Sequence, residues 1–241
     1  AHLGGLMERW MFLLKLVSRM LRFGTGASDA RSLEEVPMVM QAAPVLVDAL
    51  RAFMRLFTKV AGSATMLEWL YKSARKIVHT LTAIQELHPW SLLSSHYILA
   101  AVGLLEDFLC GGPTEEPDGG HKLSVKCMLY LHELIRCGAY KQAIDLSKEK
   151  AAADRGVGGG DKSFRDQERQ VRKLHLGTEV SRMLDDAFSS TRVHRLTGVI
   201  VSRFIQLSQT DLEEWAGLPE AYPHEQEVVN WQDCARPCAE S

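Results

Sequence analysis

The chain is 241 residues long, 46% of its residues are hydrophobic, and its formal net charge is −2. This length and apolar content allow one or two compact domains, or a row of repeats with a continuous core. A net charge close to zero argues against nucleic acid as the main partner, because a protein that binds a duplex presents a basic surface. The five cysteines are odd in number and lie in apolar surroundings, which indicates reduced thiols rather than a secreted disulfide framework.

The N-terminus lacks a secretory signal and an initiator Met, so we expect the chain to be a piece of a longer protein. Residues 87–105 contain no Asp, Glu, Lys or Arg and approach the length of a membrane-spanning helix. Histidine, proline and serine interrupt this stretch, and its apolar residues fall on one helical face. The pattern therefore favours a buried helix and predicts no membrane insertion.

Apolar residues at three- and four-residue steps predict helices along most of the chain, separated by glycine and proline breaks. Two polar stretches, residues 111–120 and 151–163, are predicted to be flexible loops between helices. The predicted helices are residues 6–23, 37–60 with a kink at Pro44, 65–86, 89–110, 123–137, 139–150, 164–188 and 191–207. The helix at 164–188 is mostly polar, and its predicted inward residues are Val171, Leu174, Val180, Met183 and Leu184. The apolar residues from Val199 onward predict that the helix at 191–207 is buried.

No alternating pattern of useful length predicts a strand, so the expected fold class is all-α. The length and order of the helices predict antiparallel pairs that recur every ~40–50 residues, the spacing of HEAT repeats. We therefore expect residues 1–241 to form an α-solenoid of HEAT-type helix pairs. The pairs show little sequence similarity to one another, so this expectation depends on helix length and order.

The glycine-rich run at residues 156–163, GVGGGDKS, is the nearest approach to a phosphate-binding loop. Asp161 stands where such a loop needs glycine before Lys162, and no strand precedes the run. The pattern is typical of a flexible loop.

The cysteines and histidines form no recognisable metal site or catalytic set. Cys127, His132 and Cys137 follow each other at five-residue steps, which places successive side chains ~140° apart around a helix. Cys234 and Cys238 could share a helical face, but nearby His224 supplies at most one of the two further ligands that zinc needs. We therefore predict buried structural thiols, with no catalytic, cofactor-binding or metal-binding residues. A helical enzyme that uses the Cys and His residues is the competing hypothesis.

Residues 211–227 carry six acidic side chains and no Lys or Arg. The ordinary interpretation is a solvated loop, and the functional one is a negative patch that contacts a basic partner surface. The candidate partner residues in the acidic turn are Asp211, Glu213, Glu214 and Glu220. Trp215 is interpreted as a packing residue, as are Trp10, Trp69 and Trp90.

Four segments, in this order, resemble the importin-eleven family of nuclear transport receptors, which are β-karyopherins. They are HPWS at 88–91, VKCM at 125–128 followed by AYK at 139–141, LSQTDLEEWAGLPEAY at 207–222, and Trp231 with RPCAE at 236–240. The signature residues are His88, Pro89, Trp90, Trp215, Pro219, Arg236 and Pro237. The resemblance covers roughly residues 67–241, and it departs from the family at 216–218, where acidic residues are usual.

This resemblance implies a HEAT-repeat receptor without an active site or cofactor, which carries protein cargo between cytoplasm and nucleus. It implies binding to Ran-GTP, mainly through repeats N-terminal to this segment, and to the Phe-Gly repeats of nucleoporins. The alternative is a HEAT-repeat scaffold or adaptor subunit outside nuclear transport.

Overall fold

A computed structural model of the protein describes residues 2–24, 36–60, 62–111, 118–153 and 164–205, together with 213, 216–217 and 238–239. All regular secondary structure in these ranges is helical, which confirms the predicted all-α class. The helices are α1 (His2–Arg19), α2 (Pro37–Phe57), α3 (Ala64–Leu87), α4 (Pro89–Ser94), α5 (Ile98–Gly111), α6 (Asp118–Arg136), α7 (Gly138–Ala153), α8 (Phe164–Ala187) and α9 (Ser190–Val199). A π-helical turn follows α1 at Met20–Gly24, and another follows α9 at Ile200–Ile205.

Helix α3 lies at the centre of the described structure. Ile77, Val78 and Leu81 are completely buried, and residues 81–85 are buried one after another. A helix buried on more than one face must be surrounded by other elements. Helices α1, α2, α4 and α6 provide this cover.

If α4 and α5 are counted as two parts of one helix, then α1, α2 and α3 each contact the helix two places further along the chain. Helices α1, α3 and α6 pack in succession, while α2 packs against α4 and α5. The row of α1, α3 and α6 is joined to the row of α2, α4 and α5 by contacts between helices adjacent in the sequence, since α2 packs on α3 and α5 packs on α6. The first six helices therefore form two adjoining rows, if α4 and α5 are taken as two parts of one broken helix.

The break between α4 and α5 differs from the single helix predicted at 89–110. The Ser95 hydroxyl donates to the Leu92 carbonyl at 2.6 Å, and His96 adopts a left-handed conformation with φ of 58°. The left-handed residue ends the first helical segment, and α5 begins two residues later, although the apolar periodicity of the sequence continues on both sides.

The boundaries of the two predicted loops also shift. Gly111 ends α5, residues 118–120 form the start of α6, and residues 151–153 form the end of α7. A Cβ atom added to Gly119 would lie 3.1 Å from the Tyr71 side chain, so the glycine lets α6 approach α3 closely. The remainder of each predicted loop, 112–117 and 154–163, lies outside the described residues.

Helices α7 and α8 pack closely on each other, as Gly177 shows. A Cβ atom at this position would clash with the backbone oxygen of Ala143, so only glycine fits here without moving a helix. On α8, Val180 and Met183 are buried as predicted and Leu174 and Leu184 are half-buried, but Val171 is 59% exposed. The predicted apolar stripe is correct in its spacing and wrong about Val171, because a sequence pattern does not show how far the neighbouring helix extends.

Charged contacts attach α9 to α5. The buried carboxylate of Glu106 accepts from Arg192 at 3.2 Å and from Arg195 at 3.3 Å. Arg203, in the π-helical turn, donates to the Leu109 carbonyl at 3.0 Å. Within this turn Phe204 is buried, whereas Val201 is 48% exposed, so the buried helix predicted at 191–207 is buried on one side only.

Candidate functional site

The structure describes only one of the four candidate partner residues of the acidic turn. Glu213 is exposed. Asp211, Glu214 and Glu220 lie outside the described residues, and so do the signature residues Trp215, Pro219, Arg236 and Pro237.

The signature residues His88, Pro89 and Trp90 form a buried corner between α3 and α4. His88 is only 2% exposed and Trp90 is 5% exposed. The Tyr140 hydroxyl donates to the Pro89 carbonyl at 2.8 Å, and the Tyr140 ring packs edge-on against Trp90 with ring centroids 5.6 Å apart. Burial lowers the pKa of His88, which keeps its ring neutral at pH 7. These residues join the corner to α7 and offer no surface to a partner.

Four of the cysteines lie in the described part of the chain. Cys127 and Cys238 are buried, and Cys110 and Cys137 are partly buried. Burial raises the pKa of Cys110 and of Cys137, and it raises the pKa of Cys238 to about 11. A thiolate is the reactive and metal-binding form, so these environments oppose both kinds of chemistry at the three thiols. Among the described residues, no group of three or more His, Cys, Asp or Glu side chains could hold a metal ion.

An open apolar groove lies between α1, α2 and α3. The three rings of Trp10, Phe53 and Trp69 meet in two edge-to-face contacts, each with centroids 5.7 Å apart. Each helix contributes one ring. The groove has a volume of about 430 Å³, and its other lining residues are Leu6, Met7, Ala49, Ala52 and Met66.

The local packing makes the groove both open and adaptable. The Trp69 indole nitrogen donates to the Met7 carbonyl at 3.4 Å, which ties α3 to the first turns of α1. Ala49 and Ala52 have small side chains, and the thioethers of Met7 and Met66 can adjust to the shape of a ligand. An edge-to-face contact between two aromatic rings stabilises a complex by about 0.5–1.5 kcal/mol, in addition to the free energy gained from burying apolar area. The arrangement is suited to taking up an aromatic side chain from another protein.

The sequence pattern indicates packing roles for Trp10 and Trp69 and does not reveal this groove. Both residues are only partly buried. Trp10 lies four residues after Leu6, and Trp69 lies three after Met66, so the helical spacing places each tryptophan beside a second lining residue. That Phe53 of α2 meets both rings depends on tertiary packing.

No helix within the described ranges combines the length and the apolar character needed to cross a membrane. Comparison of the chain with protein-family models, with curated proteins and with solved structures finds no match.

Proposed function

We propose that the chain is a segment of a nuclear transport receptor similar to the importin-eleven family. In this role it forms part of an α-solenoid that binds protein cargo, and the groove between α1, α2 and α3 binds Phe-Gly repeats of nucleoporins. The observation that carries this proposal beyond the sequence motifs is the open ring cluster of Trp10, Phe53 and Trp69.

The contacts among the first six helices support a solenoid. In stacked helix pairs each helix contacts its partner and the equivalent helix of the next pair. The α1–α3–α6 succession and the packing of α2 on α4 and α5 follow this scheme. Helices α8 and α9, which both pack against α5, depart from it.

Weak binding of many Phe side chains suits a receptor that must pass through a pore. One phenylalanine placed against the Trp10 and Trp69 rings buries its own apolar area, and the flanking glycines add no bulk. Such a contact releases quickly because little area is buried. Several such grooves along one solenoid would raise the overall affinity, because a repeat bound in one groove increases the effective concentration of neighbouring repeats at the other grooves.

Cargo and Ran-GTP act through the whole receptor. Cargo binding and Ran-GTP binding oppose each other if they favour different curvatures of the solenoid, and the coupling is reciprocal. The acidic turn that includes Glu213 is the proposed contact for a basic partner surface. The proposed locations are the cytoplasm and the nucleus.

The groove can be tested with a labelled Phe-Gly repeat peptide. The Ala52→Arg variant places a long charged side chain in the groove and should weaken binding about tenfold or more, because a phenylalanine that enters the groove must displace this side chain or bury its charge. The matched control is Val45→Arg, which adds the same charge at a 66%-exposed position two turns earlier on α2. Fluorescence anisotropy measures the affinity, and a peptide with serine in place of phenylalanine should not bind.

Thermal melting shows whether both proteins are folded. If they are, equal binding by the native chain and by Ala52→Arg would rule out the groove as the Phe-Gly site. The transport role itself is tested by retention of the full-length protein on Ran locked in its GTP state. Failure of that retention would favour the scaffold or adaptor function.

A further inference from the structure

Basic side chains from α1, the π-helical turn after it, α3 and α6 lie where these elements pack on one another. They are close enough for their charges to act on one another's titration. This group, called the basic face below, comprises Lys15, Arg19, Arg22, Lys76, His79 and Lys126.

The contact between Arg22 and His79 defines the centre of the basic face. An Arg22 guanidinium nitrogen lies 3.4 Å from His79 Nε2. Arginine can only donate, so Nε2 must accept and the imidazole must be neutral. Burial, followed by the charges of Lys76, Arg22 and Lys126, lowers the pKa of His79 to about 4.

Within the described ranges, three of these cations have no carboxylate partner. Lys15, Arg19 and Lys76 form no ion pair with any described carboxylate. Glu86 interacts with Arg22, but burial and the nearby Glu133 raise the pKa of Glu86. Burial, followed by the charges of Arg22, Lys15 and Arg19, lowers the pKa of Lys76, so the cations repel one another. An anionic ligand would relieve this repulsion.

Apolar side chains accompany the basic ones on α1. Phe12 and Leu16 are 67% and 45% exposed, and helical spacing places them beside Lys15 and Arg19. A ligand that combines carboxylates with apolar side chains would cover both kinds of surface. The overall net charge of −2 disfavours an extended nucleic acid, whose phosphates would repel the remainder of the molecule.

We propose that the basic face binds an acidic segment of a partner protein. Carboxylates of that segment pair with Lys15, Arg19 and Lys76, and its apolar residues cover Phe12 and Leu16. This interaction is separate from the binding of Phe-Gly repeats and does not require the transport function proposed above.

The test uses a labelled synthetic peptide of alternating glutamate and leucine or phenylalanine. Anisotropy should show binding at about 0.05 M salt that weakens strongly at about 0.5 M salt, as expected for exposed charge pairs. Each of Lys15→Gln, Arg19→Gln and Lys76→Gln should weaken binding about threefold, and the triple variant about 30-fold. The matched control changes three exposed lysines elsewhere, Lys59, Lys141 and Lys148, to glutamine.

A second measurement separates docking at this site from a general effect of charge. The nuclear magnetic resonance signals of the His79 ring should shift when the peptide binds at about pH 7, where its carboxylates are ionised, because the ring contacts Arg22 at the centre of the basic face. Equal loss of binding in the control triple variant, or unchanged His79 signals with saturating peptide, would overturn the proposal. Tighter binding to anionic vesicles or to a single-stranded oligonucleotide than to the peptide would overturn it as well.

Discussion

Helices α3 and α9 are held in the same molecule by different kinds of contact. α3 is surrounded by apolar neighbours, with Ile77 completely buried. On α9 only Leu196 is buried, and the helix depends on the two arginines that pair with Glu106. Apolar packing is insensitive to screening by salt, whereas partly exposed ion pairs weaken in it. The centre should therefore stay folded under conditions that release the C-terminal helices.

The largest expected effect is the loss of a central side chain. Ile77→Ala should lower the free energy of unfolding by about 3 kcal/mol, because it removes buried methylenes and leaves a cavity. Urea denaturation followed by circular dichroism measures this change. Leu99→Ala, at a 37%-exposed position on α5, is the control and should have a much smaller effect. Equal effects at both positions would contradict the central role of α3.

The next effect tests the close approach of α7 and α8. Gly177→Ala should destabilise the protein by about 2 kcal/mol, because the new methyl group meets the Ala143 carbonyl and the helices must separate. Gly198→Ala on α9 is the matched control, since a Cβ atom there would have no neighbour within 4 Å. It should stabilise the helix by about 0.5 kcal/mol. Thermal melting of the two variants should therefore shift in opposite directions.

A smaller effect is expected from the ion pairs of α9. Glu106→Ala leaves Arg192 and Arg195 without their carboxylate and should weaken α9 docking by about 1.5 kcal/mol. Hydrogen exchange should show faster exchange in α9 and unchanged exchange in α3. Asp107→Asn, the exposed neighbouring position, is the control for loss of one charge. If α3 also exchanged faster, the two regions would not be independent.

The smallest effect concerns the pH dependence that His79 introduces. The ordinary pKa of histidine is 6.5, and His79 in the folded protein has a pKa of about 4. Between these values the unfolded chain binds more protons, so stability is full above pH 6.5 and falls as the pH decreases towards 4. The ring is partly exposed and solvent screens its charge, so we expect the free energy of unfolding to fall by about 1 kcal/mol over this pH range.

Native chain and His79→Gln should be compared by urea denaturation across this pH range. The variant should lose this component of the pH dependence, while Lys76, Arg22 and Lys126 remain around the position. His175→Gln, at a strongly exposed position, should keep the native profile. An identical slope in native chain and His79→Gln would show that His79 keeps an ordinary pKa.

Local rules predict most of the helices, and tertiary contacts decide the exceptions. Pro37 and Gly138 mark helix boundaries as the sequence indicates, and α8 spans nearly its predicted range. The break at His96 escapes these rules, because neither glycine nor proline marks it. Gly119 is typical of a loop by composition, although its contact with Tyr71 shows that it permits close helix packing.

The candidate site is less predictable because it needs residues from three helices. Helical spacing identifies Trp10 and Trp69 as members of apolar stripes, but it cannot show that packing leaves one side of the Trp10, Phe53 and Trp69 rings open. The basic face also depends on residues from more than one helix. Lys15 and Lys76 are far apart in the sequence, and only the packing of α1 on α3 brings their charges together.

The pairing of Arg195 with Glu106 joins residues that are 89 positions apart. The ribosome releases α5 well before it has made α9. During synthesis the earlier helices can therefore pack while the Glu106 carboxylate still lacks Arg192 and Arg195. During that interval the newly made protein exposes a flank of α5 to chaperones. Synthesis that stops before α9 would therefore yield a chain with a formed centre and one uncovered side.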